Sequence, residues 1–206
     1  MLYQLFKYIF LITGKILFRA EAHGVENIPQ NEGVLFISNH ASYIDPPAVG
    51  MFVPWKIHFL AKYELFRVPV LGWIIKRLNT VPVKRGGVDR KAIRNVRRLL
   101  REGKQVLVFP EGTRSKTGDL GPIRQGVMLM LEGLTDISIV PVYIDGSYRA
   151  LPKGKIVPRP KKIRLFYGKP FKLPQKGVEI QKREHYKKTS ELLFESIKTL
   201  KNEKME

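Results

Sequence analysis

Short apolar runs alternate along the chain with segments in which apolar residues recur at helical spacing. The runs have the length and the content of β-branched residues that are typical of strands, and they cover residues 33–38, 57–61, 80–83, 105–109, 137–144 and 162–167. Strands that alternate with helices tend to pair in parallel, because each helix returns the chain to the start of the sheet. The pattern therefore predicts an α/β fold with a mostly parallel central sheet flanked by helices.

Residues 89–102 have the clearest helical pattern. Asp89 is a suitable N-cap and Gly103 a suitable stop, and an apolar stripe runs through Ala92, Ile93, Val96, Leu99 and Leu100. The opposite face is strongly basic, which is typical of a solvated surface and also suits contact with anionic headgroups. We further expect a C-terminal helix at 179–200 and an exposed basic loop at 153–164.

The first eighteen residues are almost wholly apolar and rich in aromatic side chains. As a helix they would be about 27 Å long, slightly short of the ~30 Å hydrocarbon core of a bilayer. Their polar and small positions, Gln4, Lys7, Gly14 and Lys15, fall in one sector, which leaves a broad apolar face opposite. We expect residues 1–20 to form a membrane anchor that lies in one leaflet with its lysines at phosphate level, and residues 21–206 to form the α/β domain.

Two other interpretations of this terminus stay open. Residues 20–22 resemble a signal-peptide cleavage site, although the first six residues carry no basic side chain. The segment also fits a core helix, although one small domain would struggle to cover so many aromatic side chains. A truncation that removes the segment would separate an anchor from a core helix, because only the loss of a core helix would unfold the domain.

A second apolar segment covers residues 68–75. It is far too short to span a bilayer. We expect it to pack in the core, or else to line an acyl-chain site or touch lipid.

Composition narrows the function classes. The 206 residues are enough for one substantial core, and the absence of cysteine excludes a thiol nucleophile, a disulfide framework and a thiolate metal site. An intracellular, metal-free protein is the expectation. With 37 Lys and Arg against 18 Asp and Glu, the formal net charge of +19 favours anionic membranes, nucleic acids or acidic proteins as partners.

The candidate chemistry lies at residues 38–47, directly after the apolar run 34–37. Asp45 precedes a proline, which suits a helix start, so His40 would end a strand and Asp45 would begin a helix. Five residues apart on one strand the two side chains would be roughly 17 Å apart, so only a tight turn brings them together. A carboxylate against one imidazole nitrogen orients the ring and leaves the other nitrogen to take a proton from a hydroxyl. The alternative is that Asp45 is only an N-cap and His40 only a strand-end residue.

Four blocks together resemble the glycerolipid acyltransferase family, the enzymes that acylate lysophosphatidic acid and glycerol 3-phosphate. The first is the His-x-x-x-x-Asp of His40 and Asp45, preceded by Asn39. The others follow in the family's order at residues 80–85 (TVPVKR), 109–115 (FPEGTRS) and 139–142 (IVPV). The third block is highly specific and the second is loose, and together the blocks span residues 39–142, about half of the chain.

The resemblance implies transfer of a fatty acyl group from acyl-CoA or acyl carrier protein to the sn-2 hydroxyl of lysophosphatidic acid, without a cofactor. His40 would be the general base and Asp45 would orient it. The matching substrate-binding residues would be Arg85, Glu111, Gly112, Thr113 and Arg114. Glycerol 3-phosphate or another lysophospholipid is an alternative acceptor. The expected location is the cytoplasmic face of the cell membrane, as a monotopic protein.

Two functions of other classes remain as alternatives. A basic nucleic-acid-binding module would use the net charge for phosphate contacts, but the chain has no recognition-helix or aromatic-basic strand signature, so no nucleic acid is expected. A noncatalytic membrane scaffold would bind the membrane surface but would have an inactive His40–Asp45 site. Replacing His40 separates the scaffold from the enzyme, because only the enzyme would lose a measurable rate.

Overall fold

The computed structural model describes residues 2–84, 86–173 and 182–203. Seven strands form one sheet in the order β1-β7-β6-β2-β5-β3-β4. They are β1 (Glu21–His23), β2 (Val34–Ser38), β3 (Ile57–Lys62), β4 (Val81–Val83), β5 (Gln105–Val108), β6 (Ser138–Asp145) and β7 (Arg164–Tyr167). All neighbours pair in parallel except β6 and β7. The predicted α/β fold with a mostly parallel sheet is therefore confirmed.

Helices cover both faces of the sheet. In the described residues they are α1 (Leu2–Phe18), α2 (Asp45–Phe52), α3 (Leu71–Arg77), α4 (Arg90–Arg101), α5 (Gln125–Leu131), α6 (Ser147–Ala150) and α7 (Lys182–Glu203), with 3-10 segments at Val25–Asn27 and Tyr63–Arg67. The predicted helix start at Asp89 is confirmed, because its side chain accepts hydrogen bonds from the Lys91 and Ala92 N–H groups. The first three residues of the predicted C-terminal helix lie outside the described residues. The sequence patterns missed β1, α3, α5 and α6, which are all seven residues or shorter.

Two apolar cores lie on opposite faces of the sheet. One packs α4, α5 and α7 against the sheet through residues such as Val96 and Leu193. The other packs α1 and α2 against it, with Phe36 and Val49 among the fully buried side chains. Because β2 lies between β5 and β6 and is buried along its whole length, the residue that follows it starts from a rigid position.

Helix α1 contacts the domain through Tyr3, Lys7 and Gly14. Lys7 donates to the Val53 and Pro54 carbonyl oxygens, and Tyr3 accepts a hydrogen bond from the Ile57 N–H at 2.9 Å. The ammonium of Lys7 thus holds the helix against the domain, and the level of the lysines relative to lipid phosphates stays a prediction. The opposite face exposes Leu5, Tyr8, Ile9, Ile12, Ile16 and Leu17. Among the described residues, no helix is long and apolar enough to cross a membrane.

The expectation that residues 68–75 pack in the core is wrong for five of the eight residues, since residues 68–71 and Trp73 are exposed. Val68, Val70, Leu71 and Trp73 are exposed, and Gly72 is the residue of α3 that is buried. A run of apolar residues is buried only where another element packs against it. Among the described residues, no element covers the outer side of this segment.

Candidate active site

The candidate residues meet at the carboxyl ends of the central parallel strands. His40 follows β2, Glu111 follows β5, and Ile144 lies near the end of β6. Parallel strands end at the same edge, which is where α/β folds place their ligands. The order β6-β2-β5 puts the loop after β2 between the other two.

Asn39 fixes the exit of β2. Its side-chain oxygen accepts from the Ile144 N–H at 2.8 Å, and its amide nitrogen donates to the Ile144 carbonyl oxygen at 2.9 Å. The side-chain amide thus satisfies both backbone polar groups of Ile144, which extends the contact between the β2 segment and β6 beyond Ser38. Because the side chain maintains the pairing with β6, the backbone is free to turn immediately afterwards.

The turn brings His40 and Asp45 into direct contact. His40 Nδ1 lies 2.9 Å from Asp45 Oδ2, and the same oxygen accepts from the Ala41 and Ser42 N–H groups at 2.7 Å. A carboxylate oxygen can only accept, so Nδ1 carries the proton and Nε2 is the nitrogen that remains for a substrate hydroxyl. Asp45 is fully buried at the first position of α2, and the N-cap is Ile44. The alternative that Asp45 is only an N-cap and His40 only a strand-end residue is therefore wrong.

A second contact holds the imidazole plane. The ring of Phe109 stacks on the ring of His40, with centroids 4.0 Å apart and planes 18° apart. The His40 side chain keeps 14% of its surface exposed. Phe109 thus holds one face of the His40 ring and Asp45 holds Nδ1, while another edge of the ring stays accessible. The family resemblance assigned roles to Glu111, Gly112, Thr113 and Arg114 of this block and none to Phe109.

Glu111 is bound to the backbone of the same turn. Its Oε1 accepts from the His40 N–H at 3.0 Å, and the carboxylate also accepts from the Gly121 N–H. The Ser115 N–H in turn donates to the His40 carbonyl oxygen at 2.7 Å, so both backbone groups of His40 are held by the loop after β5. Burial raises the pKa of Glu111 to about 7, against the opposing effect of the two N–H donors. The assignment of Glu111 to substrate binding stays a prediction, since these contacts describe a group that holds the turn.

We expect the variant Glu111→Gln to lose a pH-dependent part of the stability. The folded-state pKa lies above the usual value of 4.5, so the Glu111 carboxyl favours folding below pH 4.5, and this contribution is lost as the pH rises through about 7. The free energy of unfolding of the wild type should therefore fall relative to the variant over this range, by roughly 3 kcal/mol at ~1.4 kcal/mol per pKa unit. Urea denaturation at several pH values measures the difference. A constant offset between the two proteins would contradict the raised pKa.

The remaining residues of the third block surround the turn. Gly112 has φ +67°, a conformation that favours glycine, and its Cα faces the Arg124 side chain. The guanidinium of Arg114 lies 3.5 Å from the centroid of the Tyr43 ring, and its buried Nη1 has no hydrogen-bond partner in the described residues. Thr113 lines the groove that His40 also lines. Arg85, the fifth predicted substrate-binding residue, lies outside the described residues.

Lys153 is a site residue that the sequence analysis missed. Its ammonium donates to the Arg114 carbonyl oxygen at 3.1 Å and lies 3.4 Å from Thr113 Oγ1. It belongs to the exposed basic loop 153–164, which no motif connects to the third block. Only its position in a run of basic residues pointed to a functional surface.

Two cavities lie beside the His40 turn. The first, called the polar groove here, has a volume of about 780 Å³, and its lining combines apolar side chains with the polar groups of His40, Lys62, Lys84, Thr113 and Arg124. An apolar cavity of about 490 Å³ is enclosed by α1, α2, β3 and α3. Leu60 and Ala61 of β3 line both, so this strand borders the two spaces. The neighbouring polar and apolar linings suit a molecule with a charged head and a long apolar tail.

Fold and site together define a parallel α/β protein whose buried Asp45 and oriented His40 can activate a hydroxyl beside an apolar cavity. The sequence profile of the Acyltransferase family matches residues 19–145. The chain belongs to the Acyltransferase family.

Similar proteins share one activity in their names. A chloroplastic 1-acyl-sn-glycerol-3-phosphate acyltransferase of Brassica napus is 30% identical over 66% of this chain, and this chain covers 40% of that protein. A 1-acyl-sn-glycerol-3-phosphate acyltransferase of Bacillus subtilis is 27% identical, with 88% of each chain covered. The crystal structure of the 1-acyl-sn-glycerophosphate acyltransferase PlsC of Thermotoga maritima superposes with a TM-score of 0.77 at 27% identity, covering 97% of this chain and 79% of that one.

Proposed function

We propose that this protein is a membrane-associated O-acyltransferase. It moves a fatty acyl group from acyl-CoA or acyl carrier protein to the sn-2 hydroxyl of lysophosphatidic acid, and the phosphatidic acid formed enters phospholipid biosynthesis. The observation that carries the proposal is the His40–Asp45 pair, with the polar groove lined by His40 and the apolar cavity lined by the adjacent Tyr43 and Pro46. The names of the similar bacterial and plant proteins support the same acceptor.

The reaction needs one general base and no covalent intermediate on the enzyme. His40 Nε2 takes the proton of the acceptor hydroxyl while the hydroxyl oxygen attacks the thioester carbonyl carbon. Asp45 stabilises the imidazolium that results, because its carboxylate contacts Nδ1. When the carbon–sulfur bond breaks, the imidazolium returns the proton to the departing thiolate. The products are the ester and the free thiol, and His40 is neutral again.

The charged groups around the turn suit a phosphate monoester. Arg114 lies over Tyr43, within the His40–Asp45 turn, and its unpartnered Nη1 provides a donor for an anion. Lys153 adds a second cation beside it, and Lys84 adds a third in the polar groove. Together with the predicted contact from Arg85, these groups would hold the acceptor phosphate while its hydroxyl reaches His40.

The apolar cavity suits a fatty acyl chain. Its lining consists largely of aliphatic and aromatic side chains from four elements, including Phe10, Met51 and Ile75. Burial of each CH₂ group there would contribute about 0.8 kcal/mol, so a long acyl chain would gain most of its affinity in this space. The exposed apolar face of α1 would hold the protein on a membrane as a monotopic protein, and we propose the cytoplasmic face as its location.

The experiment that tests this function is acyl transfer from labelled acyl-CoA and from labelled acyl carrier protein in mixed micelles. Lysophosphatidic acid, glycerol 3-phosphate and lysophosphatidylcholine are offered in parallel. We expect phosphatidic acid as the main product, because the cations described above favour an acceptor with a free phosphate. Exclusive acylation of glycerol 3-phosphate would retain the mechanism and replace the acceptor. No transfer from either thioester to any acceptor by the folded protein would overturn the proposal.

A further inference from the structure

The turn before α3 projects a strained apolar residue into solvent. Val70 has φ +61° and ψ −60°, and the Leu71 N–H donates to the Pro69 carbonyl oxygen at 2.6 Å, which closes a three-residue γ-turn. Positive φ is unfavourable for a β-branched residue and costs of order 1–3 kcal/mol. The side chain of Val70 is 72% exposed, so it gains little packing in return. A strained turn that presents an apolar side chain suggests a contact with something outside the chain.

The exposed residues of this turn are continuous with those of α1. Trp73 in α3 packs edge-on against Phe6 in α1, with ring centroids 6.4 Å apart. We call the combined surface the α1–α3 apolar face; it consists of Leu5, Tyr8, Ile9, Ile12, Ile16, Leu17, Val68, Val70, Leu71 and Trp73, all exposed. A contiguous exposed apolar patch of this kind marks an interaction site on a protein surface.

Charges beside this face indicate its partner. Arg67, Lys76 and Arg77 are exposed on the same short segment, and none of them pairs with a carboxylate among the described residues. The Arg77 guanidinium lies 5.2 Å from the centroid of the Trp73 ring. Tryptophan and basic side chains together are typical of the level at which lipid headgroups meet acyl chains. An anionic leaflet supplies both the apolar interior and the phosphates that this combination would contact.

The apolar cavity lies directly behind the same two helices. Tyr3 and Phe10 line it from α1, while Leu71, Ile74 and Ile75 line it from α3. Leu71 is both an exposed residue of the face and a lining residue of the cavity. The wall between the leaflet and the cavity would therefore be one layer of side chains at the seam of α1 and α3.

We propose that α3 and its γ-turn form a second membrane-inserted element beside α1, seated in one leaflet of an anionic bilayer. Lipid acyl chains then enter the apolar cavity at the seam between α1 and α3, directly from the leaflet. The insertion stands on the exposed face alone, whereas the entry route rests on the acyltransferase function proposed above.

Trp73 provides a direct probe of the insertion. The chain has two tryptophans, so Trp55→Phe leaves Trp73 as the single reporter. We expect its emission to shift to the blue on vesicles of phosphatidylglycerol and phosphatidylcholine, and to be quenched by phospholipids brominated near the top of the acyl chain. Vesicle-bound protein whose Trp73 is not quenched would overturn the proposal, since α1 alone would then insert. Burial of Trp73 in a protein dimer formed without vesicles would also overturn it, in favour of a second copy as the partner.

Val70→Asp tests the same element by partitioning. Aspartate tolerates positive φ better than valine, so the substitution adds a charge at the tip without straining the fold. Val157→Asp is the matched control, because Val157 is as exposed but lies in the basic loop away from the face. We expect Val70→Asp to weaken vesicle binding at least tenfold and Val157→Asp to change it less than twofold. Equal effects of the two variants would contradict a specific insertion of α3.

The entry route has its own measurement. Val70→Asp should slow acylation of lysophosphatidic acid embedded in vesicles at least fivefold, and leave the rate unchanged with a short-chain acceptor dissolved as monomers. Equal slowing with both acceptors would overturn the entry route. If no acceptor is acylated by the wild type but Trp73 is quenched, the acyltransferase function fails and the insertion stands.

Discussion

Replacing His40 by alanine is expected to lower the rate of acyl transfer by at least ~10²-fold while the fold persists, because the variant lacks the group that takes the hydroxyl proton. The His40 side chain lines the groove and packs mainly on Phe109, so its removal opens space at the surface and leaves both apolar cores intact. The rate is measured with a labelled thioester and lysophosphatidic acid in mixed micelles, and folding by circular dichroism.

His185→Ala is the matched control for this experiment. His185 lies on α7, outside both cavities, so its removal should leave the rate unchanged. If His40→Ala kept the wild-type rate, the His40–Asp45 pair would not be the base, and the noncatalytic scaffold would become the better explanation of the chain. Equal loss in both variants would indicate a general effect of the substitutions on folding.

The second large effect is expected at Asp45, where two variants separate charge from geometry. In Asp45→Asn the amide oxygen can still accept from the Ala41 and Ser42 N–H groups and from His40 Nδ1. The turn then persists, but the negative charge that stabilises the imidazolium is gone. We expect a rate loss of roughly 10²-fold, the order observed when one electrostatic contact to the transition state is removed.

Asp45→Ala is expected to lose the turn as well. Two buried N–H groups would be left without an acceptor, at about 1–3 kcal/mol each, so the free energy of unfolding should fall measurably below that of Asp45→Asn. Urea denaturation and the acyl-transfer assay together give both quantities. An Asp45→Asn protein with nearly wild-type activity would show that the charge plays no part in the reaction and that Asp45 only shapes the turn.

A third comparison concerns the role of Glu111. The resemblance assigns it to the acceptor, whereas its carboxylate holds the backbone N–H groups of His40 and Gly121. If it positions His40, Glu111→Gln should lower kcat and leave KM for lysophosphatidic acid nearly unchanged. A raised KM with unchanged kcat would instead support direct contact with the acceptor.

Local patterns were sufficient for the features that depend on neighbouring residues. The strands 34–38 and 105–108 and the helix α4 were predicted because their apolar periodicity and their caps lie within a dozen residues. The contact between His40 and Asp45 was predictable for the same reason, since the proline after Asp45 requires a turn between a strand and a helix. The mostly parallel sheet followed from the alternation of these elements.

Other features required the order of strands in the sheet. The Asn39 amide meets Ile144 across 105 positions of sequence, and the His40 N–H meets Glu111 across 71 positions, because β2 lies between β6 and β5. Lys153 reaches the site from a loop that no pattern connects to it. The apolar periodicity of one strand does not specify which other strand pairs with it.

The sequence by itself predicted most of the strands, the longer helices, the His40–Asp45 turn and the family resemblance, because each depends on residue types at short, regular spacing. The tertiary structure decided which faces are covered. Lys7 and Gly14 turn toward the domain, so α1 presents its apolar side outward, and Val70 and Trp73 extend that surface instead of joining the core. An apolar stripe specifies only that a face avoids water. Packing between segments that are distant in sequence decides which element or partner covers that face, and no local pattern contains this information.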